Sequence, residues 1–359
     1  MNRNLIYGII VLILTVLVYF FVVRPGSGSF RGDEKAFGMK DTASIGKIFL
    51  ADLAGKSITV TREDEVWRLE DGQPARKEQV QSIMHALSQM EVNVPVAKSM
   101  FDNVVRNIAG DHTKVEVYDR KGKKVRSFFI GPISTTYRGN FMLVDGSKTP
   151  FVVHIPGFDG FIHTRFVMDP YEWKDRTVFS YRPDRIRKLE LTYPQVPDSS
   201  FVLHRSEEGE YRFESGLGDA SSFNPEIGNY YLNKFKDLNC ELFVPEEYKL
   251  DSLQQLQPVC RIAVTRADGE TRDAAIYYRP VTYRTKLQFT YQGQELNFDV
   301  DKFYAIINQP ADLAIIQNFV FGDLFVGPSY FMRQRPSNVN VLVEEIMGGE
   351  EGVTIDLMK

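Results

Sequence analysis

Hydrophobic and polar positions follow three patterns along this chain. The first is unbroken: Leu5 to Val23 runs without a charge between Arg3 and Arg24. As a helix it spans roughly 28 Å, close to one hydrocarbon core. The second has a period of two. Tyr283, Thr285, Leu287 and Phe289 fall on one face of a strand, and Arg284, Lys286, Gln288 and Thr290 on the other. The third has helical spacing, in Val80, Ile83, Met84, Leu87 and Met90 and again in Ile227, Tyr231, Phe235 and Leu238. Asn224-Pro225-Glu226 opens the second helix, with Asn as cap and Pro at the first helical position.

These patterns occur twice. Ile45-Gly46-Lys47-Ile48-Phe49-Leu50 resembles Ile186-Arg187-Lys188-Leu189-Glu190-Leu191. Ser57–Arg62 resembles Ser200–Arg205, and Trp67-Arg68-Leu69 matches Tyr211-Arg212-Phe213. A helix follows in each half. Val115-Glu116-Val117 then answers Ile262-Ala263-Val264, Thr136-Tyr137-Arg138 answers Thr282-Tyr283-Arg284, and Gly146 answers Gly293. The matches keep their order, with an offset that stays between 141 and 147 residues. We read a tandem repeat. Each unit runs strand, strand, strand, helix and then further strands, an α+β unit whose one principal helix covers a sheet face. Asp119-Arg120-Lys121-Gly122 and Ala267-Asp268-Gly269 have the residues of hairpin turns.

The expected organisation is a transmembrane anchor at 1–24, a flexible linker at 25–43 that opens with Pro25-Gly26-Ser27-Gly28-Ser29, repeat units at 44–185 and 186–335, and a tail at 336–359. The tail holds an edge-strand candidate, Val339-Asn340-Val341-Leu342-Val343, and a second short one at Val353–Leu357. The anchor run is longer than a signal-peptide core. No small-residue cleavage site follows it, and no Cys is near it for lipoprotein processing. Arg24, Arg31, Lys35 and Lys40 follow the run and only Arg3 and the α-amine precede it. By local charge alone that imbalance keeps the bulk of the chain cytoplasmic, although long domains translocate largely regardless of it.

Composition narrows the classes of function. The net charge is −4 and no basic stripe stands out, which argues against nucleic acid as a partner. The 26 Phe and 17 Tyr favour strands. The two cysteines, Cys240 and Cys260, fit either a disulfide or a buried free pair. Of the five histidines, none has a ligand partner at metal-binding spacing, so no metal or cofactor is expected. Gly216-Leu217-Gly218 lacks the rest of a phosphate cradle, and there is no nucleophile elbow. No catalytic residue is assigned.

Two constellations remain as a candidate interaction surface. Tyr137-Arg138 and Tyr283-Arg284 occupy matching places in the two halves. They fit either an aromatic and a guanidinium that stack on a sugar or a partner's side chain, or a strand with Tyr packed inward and Arg in water. Trp173 and Asp175, in Tyr171-Glu172-Trp173-Lys174-Asp175-Arg176, fit either an interface anchor or a packed corner with Asp175 capping a turn. Asp169, Glu172 and Asp175 also leave open a hydrolase, whose paired acids would have to lie about 5–9 Å apart across a sugar.

Ile45–Leu50, Thr61-Arg62, Trp67-Arg68-Leu69, the helix after them, Val115–Val117, and Trp173-Lys174-Asp175-Arg176-Thr177-Val178-Phe179 leading into Ile186–Leu191 together resemble domain-of-unknown-function family 4340. The resemblance covers most of residues 40–335. It implies a membrane-anchored bacterial envelope protein with its domains on the extracytoplasmic side. The resemblance extends to the auxiliary components of gliding-associated ABC transporters, in which this domain also appears. It supplies no active-site residue. The expectation is therefore a non-enzymatic scaffold or accessory subunit of an envelope complex, held by a single-pass inner-membrane anchor with its bulk in the periplasm. A glycan-binding module is the alternative, and the hydrolase a further one.

Overall fold

The computed structural model describes residues 37–216, 222–245, 253, 255–281, 290–291, 294–307 and 312–332. The Leu5–Val23 run, Tyr283, Arg284 and the tail strands lie outside them. Among the described residues no helix is long and apolar enough to cross a membrane. The chain is α+β, dominated by two large antiparallel sheets, and divides into two compact units between Trp173 and Lys174.

In the first unit the chain order is β1 (Ile45–Asp52), β2 (Ser57–Glu63), β3 (Val66–Leu69), α1 (Lys77–Gln89), β4 (Glu91–Pro95), α2 (Phe101–Gly110), β5 (Thr113–Asp119), β6 (Lys124–Ile133), β7 (Asn140–Val144) and β8 (Phe151–His154). The strands form one eight-stranded sheet in the order β3-β2-β1-β5-β6-β7-β8-β4. Alternation decides which face is buried. In β1, Ile48 and Leu50 are buried and Lys47 and Phe49 are not. Ile48, Leu50, Val60, Val115, Val117, Phe128 and Phe151 share one core with Val80, Ile83, Ala86 and Leu87 of α1. Each Val, Leu, Ile or Phe among them contributes about 1.5–3 kcal/mol by leaving water. Phe37, ahead of the first strand, is fully buried in the same core, edge-on to Phe128 and Phe151.

The expectation of one principal helix per unit needs correcting here. A second helix, α2, lies over the other face of the sheet, where Phe101, Val104 and Ile108 recur at helical spacing and pack against Phe129, Phe141, Leu143 and Val152. Gly131 permits the approach, because a Cβ there would meet Ile108 Cγ1 at 2.6 Å.

The second unit contains β9 (Thr177–Phe179), β10 (Ile186–Thr192), β11 (Phe201–Arg205), β12 (Tyr211–Ser215), α3 (Pro225–Asn233), β13 (Leu238–Asn239), β14 (Leu242–Phe243), β15 (Cys260–Arg266), β16 (Thr271–Pro280), β17 (Thr290–Tyr291), β18 (Gln294–Glu295), β19 (Phe298–Ile307), β20 (Asp312–Gln317) and α4 (Asn318–Phe321). Its large sheet runs β12-β11-β10-β15-β16-β19-β20-β14. Place for place this is the order of the first sheet. The match reaches the register: β1 and β10 each carry a shift, between Ile45 and Lys47 and between Ile186 and Lys188, against the strand that follows the helices. Residues 174–185 fold with this unit, since β9 pairs with β13. Asn224 caps α3 as expected, accepting from the Glu226 N–H at 2.9 Å. The helix stops at Asn233, short of Leu238, which is already in a strand. Tyr231 of α3 packs on Phe201, Phe235 and Phe331, and its hydroxyl donates to the Leu324 carbonyl at 2.6 Å. Gly122 and Gly269 take positive φ in the two expected hairpin turns.

Cys240 and Cys260 are free, buried thiols. Burial pushes the Cys240 thiol up to about 12 and moves Cys260 upward as well.

On the outer face of the first sheet, Lys114, Glu116 and Tyr118 share one side of β5. Burial pushes the Glu116 carboxyl up. Hydrogen bonds from Tyr118 Oη at 2.5 Å, Lys114 Nζ at 2.9 Å and Lys124 Nζ at 3.2 Å outweigh it and hold the carboxyl at about 2 instead of 4.5. A depressed carboxylate stabilises the fold above its unfolded value, and that stability drains away as pH falls from about 4.5 through about 2. Thermal unfolding followed against pH will show this acid loss, and Glu116→Gln will flatten it. Parallel acid limbs in the two proteins would contradict the assignment.

Candidate functional site

The turn between β6 and β7 carries the most unusual residue of the first unit. Tyr137 has φ +55°, left-handed backbone that costs a bulky side chain about 1–2 kcal/mol, and it is 77% exposed. The turn leaves no freedom to relax. Ser134 N–H donates to the Gly139 carbonyl at 2.8 Å and Tyr137 N–H to the Ser134 carbonyl at 2.9 Å. The buried Ser134 hydroxyl accepts from Arg138 N–H at 3.2 Å. Asn93, at the register shift of β4, donates through its side chain to the Arg138 carbonyl at 3.0 Å. Gly139, at φ +147°, lets the backbone lie against β8, where a Cβ would stand 2.1 Å from the Val153 carbonyl oxygen.

Asn140, fully buried at the start of β7, braces the base of the turn. Its amide donates to the Gly131 carbonyl at 2.9 Å and to His163 Nδ1 at 3.1 Å. Since both bonds use the Asn amide hydrogens, His163 accepts at Nδ1 and keeps its own proton on Nε2. The His163 ring is exposed and stacks with Phe161 at 6.0 Å. The result is a projecting phenol ring with an exposed guanidinium at Arg138, and an imidazole N–H at His163. Aromatic faces and outward donors suit recognition of a partner's rings, carbonyls and carboxylates.

Of the two readings of Tyr137-Arg138, the strand with Tyr inward gives way to a turn with Tyr outward. Ser134 and Gly139 close it, and a period-two reading does not see such bonds. Trp173 is wholly buried in the first unit's core, its indole N–H donating to the Val167 carbonyl at 2.8 Å. Asp175 belongs to the second unit and caps a turn, accepting from Thr177 N–H at 3.0 Å and Thr177 Oγ1 at 2.7 Å. Tyr283 and Arg284 fall outside the described residues. Asp169 accepts from Tyr171 N–H at 3.0 Å, and Glu172 pairs with Arg76 at 3.1 Å. Among the described residues no group of three or more His, Cys, Asp or Glu side chains is placed to hold a metal ion. Sequence reasoning missed Asn93 and Asn140, and weighed His163 only for metal ligation. A polar Asn at the head of an apolar strand, Asn140-Phe141-Met142-Leu143-Val144, was the available signal.

A family model described as Domain of unknown function (DUF4340) matches residues 42–252, more than half of the chain. No curated protein and no solved structure matches it.

The strain at Tyr137 gives a direct test of whether the ring is there for binding. Tyr137→Gly should leave stability unchanged or raise it by up to about 1 kcal/mol, because relief of the left-handed strain offsets the added chain entropy. Gly139→Ala should cost about 2–3 kcal/mol. Denaturant titrations measure both. A large loss in Tyr137→Gly would show that the ring stabilises the fold.

Proposed function

We propose that this chain, which belongs to the DUF4340 family, is a membrane-anchored, extracytoplasmic scaffold or accessory subunit of a bacterial envelope complex. Leu5–Val23 serves as its single-pass inner-membrane anchor. The two units descend from one duplicated module, a reading supported by their identical strand order and by the matching register shifts in β1 and β10. The work of the protein on this reading is binding rather than chemistry.

The observation that carries the proposal is the Tyr137 turn. A large aromatic side chain held in water on strained backbone is costly to the free protein and useful only to something that covers it. Envelope partners of an anchored protein offer such a cover. The same exposed ring with Arg138 beside it also favours a second reading, a sugar face stacked on the phenol ring and held by polar neighbours.

A photo-crosslinking amino acid at position 137 of the full-length protein, activated in native membranes, tests the first reading. It should yield one product of defined mass that Arg138→Ala diminishes. The same probe at Val66, exposed elsewhere in the first unit, should not yield it. Identical products from both positions, or none from 137, would contradict the proposal. Retention of the protein on isolated cell wall, lost in Tyr137→Ala, would favour the glycan reading.

A further inference from the structure

The two sheets end in four edge strands, β3 and β4 in the first unit and β12 and β14 in the second. A bare edge recruits other backbone, so proteins guard theirs. The chain that follows β3 covers it: Leu69 N–H donates to the Gln73 carbonyl at 2.9 Å and Ala75 N–H to the Trp67 carbonyl at 2.7 Å. A register shift at Asn93 interrupts β4, and the strand ends on Pro95, which has no N–H to offer. β14 is only two residues long.

Among the described residues β12 has none of these guards. It pairs with β11 in unbroken register from Tyr211 to Ser215, and among the described residues nothing pairs with its outer side. A groove of about 540 Å³ runs beside it, lined by Tyr211, Arg212, Phe213, Phe223 and Pro225. The last described turn, Pro328–Met332, brings the chain to this place. The Phe331 ring lies 5.1 Å from Phe213 and 5.8 Å from Phe223, and its carbonyl accepts from Asn224 N–H at 2.8 Å. The residues between Met332 and Val339 reach roughly 20 Å when extended. That is ample to lay the next apolar run along a strand whose middle residue touches Phe331.

We propose that this run, Val339-Asn340-Val341-Leu342-Val343, adds to the outer edge of β12 within the same chain. Its alternation sets Val339, Val341 and Val343 on the groove side with Tyr211 and Phe213. Asn340 and Leu342 take the side of Arg212 and Glu214. Backbone pairing supplies the affinity, and the aromatic groove selects the valine face.

Hydrogen–deuterium exchange on the full-length protein in lipid nanodiscs tests this, with V341D/V343D as the comparison. The amides of residues 211–215 should exchange about tenfold faster in the variant, while those of β16 stay unchanged. Equal rates for 211–215 in the two proteins would overturn the proposal, whatever else held that edge. As a second arm, R212C with N340C or L342C in the full chain, bridged by a short bis-maleimide, should give a product of monomer mass. A linked dimer would overturn the intrachain assignment.

Discussion

Each unit depends on keeping one face of an eight-stranded sheet out of water, and the helix that does so also fixes the topology. In the first unit α1 leaves edge strand β3 and delivers the chain to β4 at the opposite edge, so the segment that buries Ile48, Leu50, Val115 and Phe128 must travel the full width of the sheet. The four strands from β5 onward can then fill only the places between. α3 does the same for β12 and β14 in the second unit. Apolar burial under one crossing helix is the common cause of both strand orders. The aromatic packing of Tyr231 on Phe201 and Phe331 is the second unit's version of the aliphatic packing in the first.

The site follows from the same constraint. β6 and β7 are interior strands, paired on both sides, so the turn that joins them is held at both ends. A turn held in this way can carry left-handed backbone at a residue with a Cβ, because the surrounding pairing outweighs the strain. An edge hairpin would relax. The structure thus spends interior rigidity on projecting Tyr137, with Asn93 and Asn140 as braces. The side of β5 away from the α1 core shows a different use of polarity, where Glu116 gathers Tyr118, Lys114 and Lys124 into one charged lattice.

Much of the fold was legible in the residues. Ile45–Leu50 and Ile186–Leu191, matched as sequences, occupy the same place in the two sheets, and Asn224-Pro225 started its helix where capping chemistry placed it. Periodicity succeeds where one face is buried and the pattern is long. It missed α2, because a ten-residue helix with Phe101, Val104 and Ile108 on one side carries too few apolar positions to stand out. It also left Tyr137 undecided between an outward and an inward ring, because turn closure by a Ser hydroxyl and a Gly backbone leaves no periodic trace. Trp173 shows the converse: composition drew attention to it as a possible anchor, and its burial beside the Val167 carbonyl makes it core.

On the proposed reading, a single helix ties the two units to a membrane from outside the cytoplasm. A pair of reporters fused after Lys359, alkaline phosphatase and a fluorescent protein that matures only in the cytoplasm, measures it in living cells. The expected result is an active phosphatase and a dark fluorophore in the membrane fraction. A bright fluorophore with an inactive phosphatase, or fusions recovered free of the membrane, would contradict it.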